Sequence, residues 1–216
     1  MKFFKDNSKN YQIKLDALIN IMKSTGFLTS KKVENSIRNI PRHYFVPDSQ
    51  KSEAYENTPI PIMKNQTISQ PSVVARMTEW LELKDGQKVL EIGSGSGWQS
   101  AIIADLVGSG KVFTLERHSK LANFAKKNLG KIGIKNVEII HGDGNLGLPE
   151  KSPFDRIMIT AACKKVPEKL LDQLSNGGLL LAPIGKDIQS LVLLKKTSKG
   201  IVEIKNQKGY VFVPFV

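Results

Sequence analysis

Apolar residues in the first part of the chain recur at helical spacing. One stripe covers Ile13–Met22 and stops before Gly26, and a shorter stripe covers Val33–Ile40 and stops before Pro41. Because residues three or four positions apart share one face of a helix, this pattern predicts two amphipathic helices. The four prolines between positions 41 and 61 favour extended or turn backbone. We therefore expect residues 1–70 to form a helical cap and a loop on a larger core.

Beyond this region the apolar pattern alternates between helical and strand spacing. A helix is predicted to begin at Pro71 and to stop before the Lys-Asp-Gly turn at Lys84. The elements predicted after it are, in order, strand Lys88–Ile92, helix Trp98–Val107, strand Lys111–Leu115, helix Ser119–Lys131, strand Val137–Ile140, strand Phe154–Thr160, helix Pro167–Leu174 and strand Gly177–Ile184. Strands separated by helices of about ten residues indicate a parallel sheet covered on both faces.

The pattern changes after Gly185, where the helical stripes stop. The runs Gln189–Thr197, Ile201–Ile204 and Gly209–Val216 are predicted strands, joined by turns at Ser-Lys-Gly and Asn-Gln-Lys-Gly. The sheet is therefore expected to end in antiparallel strands. Residues 71–216 form the predicted α/β core, and with the cap over residues 1–70 the chain is expected to be one structural domain.

The composition is typical of a globular protein with one substantial core. Of its 216 residues 40% are hydrophobic and 24% charged, and no apolar run approaches the ~20 residues of a membrane span. The single cysteine, Cys163, excludes an internal disulfide and cannot by itself supply a thiolate zinc site, and the three histidines are not spaced as metal ligands. The net charge of +12 comes from lysines scattered as singles and pairs, which favours a solvated surface over a nucleic-acid face. We predict a cytoplasmic monomer with no metal, membrane or nucleic-acid partner.

The stretch Val89–Trp98, VLEIGSGSGW, carries the most informative chemistry. A buried strand runs into three alternate glycines at 93–97, where the backbone can turn sharply and a ligand can approach the peptide groups. Trp98 occupies the position of the third glycine of a dinucleotide fingerprint. Glu91 adds a carboxylate that would repel a pyrophosphate and suit a cation. Together these features predict S-adenosyl-L-methionine, a sulfonium ligand without phosphate.

Two later acids lie at the ends of the next strands. Glu116 follows the second strand about twenty residues beyond the glycines, where an acid can bind ribose hydroxyls, and Asp143 follows the third strand, where it can accept from the adenine amino group. Each feature also has a plainer interpretation: the glycines as a turn only, Glu116 as a surface acid and Asp143 as the centre of an Asx turn. The carboxyl ends of parallel strands meet at one edge of a sheet, so we expect all three features to surround one ligand.

Three motifs resemble those of the protein-L-isoaspartate (D-aspartate) O-methyltransferase family. Asn65–Met77, NQTISQPSVVARM, is similar to the active-site loop of that family, Val89–Trp98 to its cofactor motif, and Gly142–Ile157, GDGNLGLPEKSPFDRI, to its signature. The resemblance runs from about Val33 to the C-terminus. Ser72 and Leu148 depart from the residues usual in the family. The resemblance implies a class I S-adenosylmethionine-dependent methyltransferase fold, a Rossmann-like doubly wound sheet with antiparallel C-terminal strands.

The same resemblance implies a reaction and a set of site residues. The family methylates the free α-carboxylate of L-isoaspartyl residues in proteins and peptides, giving a methyl ester that leads on to succinimide, with S-adenosyl-L-homocysteine as the other product. Ser69 is the predicted catalytic residue. The predicted cofactor residues are Thr67, Ile68, Glu91, Gly93, Ser94, Gly95, Ser96, Gly97, Glu116, Arg117, Gly142, Asp143, Gly144 and Gln189, and the predicted substrate residues are Thr67, Ser69, Gln70, Val211, Phe212 and Val213.

Several alternatives remain open at this stage. Ser69 precedes a helix that opens with proline, so it is also a candidate helix N-cap. The terminal Gly209–Val216 run offers a strand edge to an extended peptide, or is an ordinary buried strand. A tRNA methyltransferase on the same fold is the main alternative function, supported by the basic charge but lacking the usual amino-methylation motif after the fourth strand. A protein that binds S-adenosylmethionine without catalysis is a third possibility.

Overall fold

The computed structural model describes residues 9–215. Both predicted N-terminal helices are present, as α1 (Lys9–Ser24) and α2 (Lys31–Asn39). The hydroxyl of Ser30 caps α2 by accepting from the backbone N–H of Val33, which satisfies one free donor of the first turn. The chain then passes through short 3-10 turns to a two-stranded hairpin, β1 (Ile60–Pro61) and β2 (Thr67–Ile68).

The remaining elements form a seven-stranded sheet with helices between the strands. They are α3 (Pro71–Trp80), β3 (Lys88–Ile92), α4 (Trp98–Val107), β4 (Lys111–Glu116), α5 (Ser119–Lys131), β5 (Val137–His141), β6 (Phe154–Ile159), α6 (Glu168–Asp172), β7 (Leu174–Ile184), β8 (Gln189–Thr197) and β9 (Gly200–Tyr210). The strand order is β5-β4-β3-β6-β7-β8-β9, parallel from β5 to β7 and antiparallel from β7 to β9. The predicted doubly wound sheet with antiparallel C-terminal strands is confirmed.

The predicted end of the sheet is wrong in two respects. The Asn-Gln-Lys-Gly stretch is no turn but part of β9, where Asn206 lies opposite Val192. The predicted separate strand Gly209–Val216 is also wrong: Gly209 and Tyr210 are the last residues of β9, and the strand ends there because Tyr210 pairs with Gln189, the first residue of β8. Residues 211–215 instead leave the sheet and cross its carboxyl end, where Pro214 forms an isolated bridge with Ala162.

Two hydrophobic clusters lie on opposite faces of the sheet. Alternate residues of β3 divide between them, with Val89 in one and Leu90 and Ile92 in the other, as the two-residue period of a strand requires. The first cluster also contains Leu18 of α1 and buried residues of α2 to α5, so the N-terminal helices share a core with the sheet. Within residues 9–215 there is no helix long and apolar enough to cross a membrane.

Candidate active site

A cavity of about 640 Å³ opens at the carboxyl ends of the central strands. Its walls are the turn after β3, the ends of β4 and β6, loop residues 66–70 with the start of α3, and the segment 209–215. The predicted residues that line it are Thr67, Ile68, Ser69, Gln70, Gly93, Ser94, Gly95, Ser96, Glu116, Arg117, Gly144, Val211, Phe212 and Val213. One cavity thus brings together the predicted cofactor turn and the predicted substrate residues.

The glycine turn needs its glycines for two different reasons. Gly93 has φ 96°, and a side chain there would overlap Thr160 Oγ1, which bonds to the carbonyls of Ile92 and Gly93. Gly97 has φ 87° but does not line the cavity. A Cβ on Gly97 would lie 3.2 Å from the Cβ of Ala125, so this glycine allows α4 and α5 to pack closely. Of the two glycines, only Gly93 lines the cavity.

Glu116 fixes the turn from the end of the neighbouring strand. The residue is 5% exposed, and its Oε2 accepts from the backbone N–H of Gly95 at 3.0 Å. Its Oε1 accepts from the backbone N–H of His118 at 3.0 Å. The carboxylate therefore lies in the cavity wall with a defined orientation, which does not agree with the interpretation of Glu116 as a surface acid.

Glu91 does not line the cavity, contrary to the direct cofactor contact that we predicted. It lies on the face of β3 that packs on α4 and is fully buried, where its carboxyl accepts from Ser100 Oγ and, at 2.6 Å, from Thr114 Oγ1. Burial raises the pKa of Glu91 to about 7. Alternation along the strand accounts for this position, because Leu90 and Ile92 occupy the opposite face.

The signature after β5 is built around an Asx turn. Asp143 is exposed, and its Oδ1 accepts from the backbone N–H and the side-chain amide of Asn145 at 2.9 and 3.0 Å. These bonds hold the pKa of Asp143 below its usual value. Neither Asp143 nor Gly142 lines the cavity, although the buried Gly144 does. The contacts of Asp143 Oδ1 are therefore those of an Asx turn, which is the plainer of the two interpretations of this residue.

The loop that contains Ser69 is a hairpin followed directly by α3. Lys64 and Asn65 have positive φ angles of 62° and 56°, which close the hairpin between β1 and β2. The N-cap of α3 is Gln70, so the interpretation of Ser69 as the N-cap is wrong. The hydroxyl of Ser69 makes no hydrogen bond within residues 9–215, while its carbonyl accepts from Arg42 at 3.0 Å.

Gln189 holds the wall of the cavity instead of lining it. It is 2% exposed, and its side chain donates to the carbonyl of Lys186 at 2.5 Å and accepts from the backbone N–H of Phe212 at 2.8 Å. Residues 211–215 are held further by bonds that join Ala162 to Val213 and Phe215 at 2.8 Å each. The cofactor contact predicted for Gln189 is therefore replaced by a link between β8 and this segment.

Several wall residues were missed by sequence reasoning. They include Phe27, Met77, Gln99, His118, Thr160, Tyr210 and Phe215. Thr160 could have been found, because it is the last residue of a predicted parallel strand, and open sheets bind ligands at the carboxyl ends of such strands. Phe27 follows α1 and carried no such signal. No group of three or more potential metal ligands occurs within the part of the chain that the structure describes.

The cavity fits the predicted cofactor. Ser94 is 4% exposed, lies in the turn, and its Oγ has no hydrogen-bond partner among residues 9–215. The turn presents bare backbone at Gly93 and Gly95, and Glu116 provides a carboxylate beside it. A nucleoside with hydroxyl groups and a cationic amino acid end would satisfy the free polar atom and face the acid.

A family model, curated relatives and two solved structures of one family match most of the chain. The model of a family described as Protein-L-isoaspartate(D-aspartate) O-methyltransferase matches residues 13–216. A protein-L-isoaspartate O-methyltransferase of Methanococcoides burtonii is 43% identical over 200 residues, 92% of this chain and 98% of the relative. A solved protein-L-isoaspartate O-methyltransferase has a TM-score of 0.84 and 33% identity, covering 93% of this chain and 65% of that protein. A Plasmodium falciparum structure described as the same enzyme in complex with S-adenosyl-L-homocysteine has a TM-score of 0.83 and 28% identity, covering 93% of this chain and 97% of the other.

Proposed function

Because the chain belongs to the protein-L-isoaspartate O-methyltransferase family, we propose that it methylates the free α-carboxylate of L-isoaspartyl residues in damaged proteins and peptides. The methyl ester that results leads on to succinimide. The observation that carries the proposal is that the glycine turn and the uncharged loop 66–70 line the same cavity. S-adenosyl-L-methionine is the cofactor and supplies the methyl group when bound. The bond between the sulfonium sulfur and the methyl carbon breaks while an oxygen of the acceptor carboxylate bonds to that carbon.

The residues that would hold the cofactor lie on one side of the cavity. Glu116 would accept from ribose hydroxyls, Ser94 would use its free hydroxyl, and the turn at Gly93 and Gly95 would leave room for the amino acid end. Glu91 acts from behind this wall, because its buried carboxyl links β3 to α4 and β4 through Ser100 and Thr114. It would stabilise the turn without touching the ligand.

The loop on the other side of the cavity needs no general base. An α-carboxylate has a pKa of about 4 and is already ionised at neutral pH. The loop must instead bind this anion and align one of its oxygens, and alignment of this kind contributes up to about 7–11 kcal/mol at its limit. Ser69 would donate its hydroxyl, which makes no bond to another described residue. A lysine here would bind the carboxylate more tightly but would reduce its nucleophilicity.

The surface and size of the protein support narrower proposals. We infer that it does not use nucleic acid, because the lysines are scattered as singles and pairs. We also infer a cytoplasmic monomer, since a chain with one cysteine needs no oxidising compartment for an internal disulfide. A sedimentation measurement at 24.0 kDa per particle would support the monomer.

The proposed activity is tested with two peptides that differ only in one L-isoaspartyl or aspartyl residue. Incubation with methyl-labelled S-adenosylmethionine should label the isoaspartyl peptide alone, and mild base should release the label as methanol, because carboxyl methyl esters hydrolyse readily. A tRNA sample serves as the control for the alternative function. Equal labelling of both peptides, base-stable label or label only in RNA would contradict the proposal.

Replacing Ser69 by alanine should reduce turnover of the isoaspartyl peptide about tenfold, because one hydrogen bond to a charged group is lost. The dissociation constant for S-adenosylhomocysteine, measured by calorimetry, should not change. Ser72→Ala is the matched control, since the Ser72 hydroxyl is buried near the same helix start, has no partner among the described residues and lies outside the cavity wall. Wild-type turnover of Ser69→Ala would remove Ser69 from the mechanism.

A further inference from the structure

Arg42 carries a buried positive charge close to the loop. The residue is 1% exposed, and within residues 9–215 no carboxylate lies within salt-bridge distance of it. Burial lowers the pKa of Arg42 to about 9, so the guanidinium remains protonated at neutral pH. A buried charge is costly unless hydrogen bonds compensate for it, so the bonds that Arg42 makes are informative.

All of those bonds run to backbone carbonyls. Nη1 donates to Ala54 at 2.8 Å and to Glu56 at 3.3 Å, and Nη2 donates to Thr58 at 3.1 Å and to Ser69 at 3.0 Å. The guanidinium also lies 5.2 Å from the ring of Trp98 at the start of α4. One side chain therefore joins segment 54–58 to the Ser69 loop, next to the helix that follows the glycine turn.

The bond to Ser69 fixes the direction of a peptide group. A trans peptide is planar, with its C=O and N–H pointing in opposite directions, so the N–H of Gln70 points away from Arg42. The backbone N–H groups of Ser69 and Gln70 have no partner among the described residues, and both residues line the cavity. They also lie at the N-terminus of α3, where the helix dipole favours an anion.

We propose that Arg42 is a positioning residue for the acceptor carboxylate, acting through the Ser69–Gln70 peptide group. The inference rests on the proposed function, since it assigns the free N–H groups of this loop to the isoaspartyl α-carboxylate. Arg42 does not touch the substrate. It holds the carbonyl of Ser69 on the side away from the cavity, so that the N–H of Gln70, which belongs to the same peptide group, remains directed at the bound anion.

A purely structural role of Arg42 would change different measured quantities. Arg42 also bonds to Ala54, Glu56 and Thr58, so its replacement would lower the melting temperature in either case. A structural role predicts either unchanged kinetics below the melting temperature or a parallel loss of peptide and cofactor binding. A positioning role predicts weaker binding of the isoaspartyl peptide and unchanged binding of the cofactor.

Arg156 provides a matched control. It is 8% exposed, and it donates to the carbonyls of Leu81, Glu82 and Asp155 at 2.7, 3.3 and 2.8 Å. Burial lowers the pKa of Arg156, as it does for Arg42. None of these residues lines the cavity, because Arg156 lies near the amino end of β6.

The test compares Arg42→Lys with Arg156→Lys in the full chain, below the melting temperature of both. Lysine keeps the charge but cannot donate from a fork to Thr58 and Ser69 together. For Arg42→Lys we expect KM for the isoaspartyl peptide to rise about tenfold, with the dissociation constant for S-adenosylhomocysteine unchanged within about twofold. Arg156→Lys should change neither quantity. If Arg42→Lys does not fold, Arg42→Gln is measured in the same way.

The outcomes distinguish a failure of the proposed function from a failure of the inference about Arg42. A wild-type chain that does not distinguish isoaspartyl from aspartyl peptide overturns the proposed function, and the inference with it. An active wild type with an unchanged KM in Arg42→Lys overturns the inference alone. Loss of cofactor binding in both the lysine and the glutamine variants assigns Arg42 to the fold as a whole and overturns the inference as well.

Discussion

Gly93→Ala is expected to weaken S-adenosylhomocysteine binding by about a hundredfold or more. Gly93 has φ 96°, which costs a non-glycine residue about 1–3 kcal/mol. The new methyl group would also overlap Thr160 Oγ1, at about 1–3 kcal/mol for an overpacked site. Both penalties fall on the turn that forms the cofactor wall, so calorimetric titration of the variant should show the loss directly.

Two further variants separate the effect of backbone strain at a positive φ from the effect of steric overlap with Thr160. Gly133 also has a positive φ, 70°, but a side chain there would meet no atom within 4 Å. Gly133→Ala should therefore lower the melting temperature without changing cofactor affinity. Thr160→Ala combined with Gly93→Ala removes the atom that the methyl group meets and should recover part of the affinity. Unchanged affinity in Gly93→Ala itself would exclude this turn from the cofactor site.

Glu91→Gln should abolish a pH dependence of stability worth about 3 kcal/mol, since the pKa of Glu91 rises from 4.5 to about 7 on folding. A carboxyl whose pKa is raised by folding stabilises the protein fully below its unfolded pKa. That contribution is lost as the pH rises from about 4.5 through about 7, because the buried group must then ionise. Glutamine cannot ionise, and its amide oxygen can still accept from Ser100 and Thr114.

Urea unfolding of the wild type and of Glu91→Gln across this pH range measures the difference. Glu34→Gln is the control, because Lys31, Arg38 and Lys23 lower the pKa of that 4% exposed carboxyl to about 2 against the effect of burial. The contribution of Glu34 is constant above its unfolded pKa of 4.5 and is lost only as the pH falls toward about 2. Equal pH slopes for the wild type and Glu91→Gln would show that Glu91 ionises freely in the folded protein.

Local patterns predicted the elements that hold the cofactor side of the site. Helices Trp98–Val107 and Ser119–Lys131 and strand Lys88–Ile92 have the predicted bounds, because apolar periodicity and glycine positions are local properties of the chain. The Asn-Gln-Lys-Gly stretch failed because pairing with β8 outweighed the turn preference of its residues. Tertiary pairing of this kind is not visible in a short window.

The errors within the site have a similar origin. Strand alternation places Glu91 on the same face of β3 as Val89, but the sequence does not show that this face packs on α4 and lies behind the cavity. Gln189 and Arg42 act on segments 23 and 27 residues away, and their partners are backbone groups, which carry no sequence signal. The motifs indicated where the ligand would bind, but only the fold reveals which side chains hold its walls in place.

Strand β9 has a consequence for the behaviour of the protein in concentrated solution. It is the edge of the sheet, bonded to β8 alone within the described residues, and residues 200–209 are exposed. An edge of this length is a template on which a second copy could add its own strand and begin to aggregate. Lys205 and Lys208 lie along it, in a chain with a net charge of +12. Repulsion between these lysines opposes edge-to-edge association, and salt that screens it would bring the copies closer together.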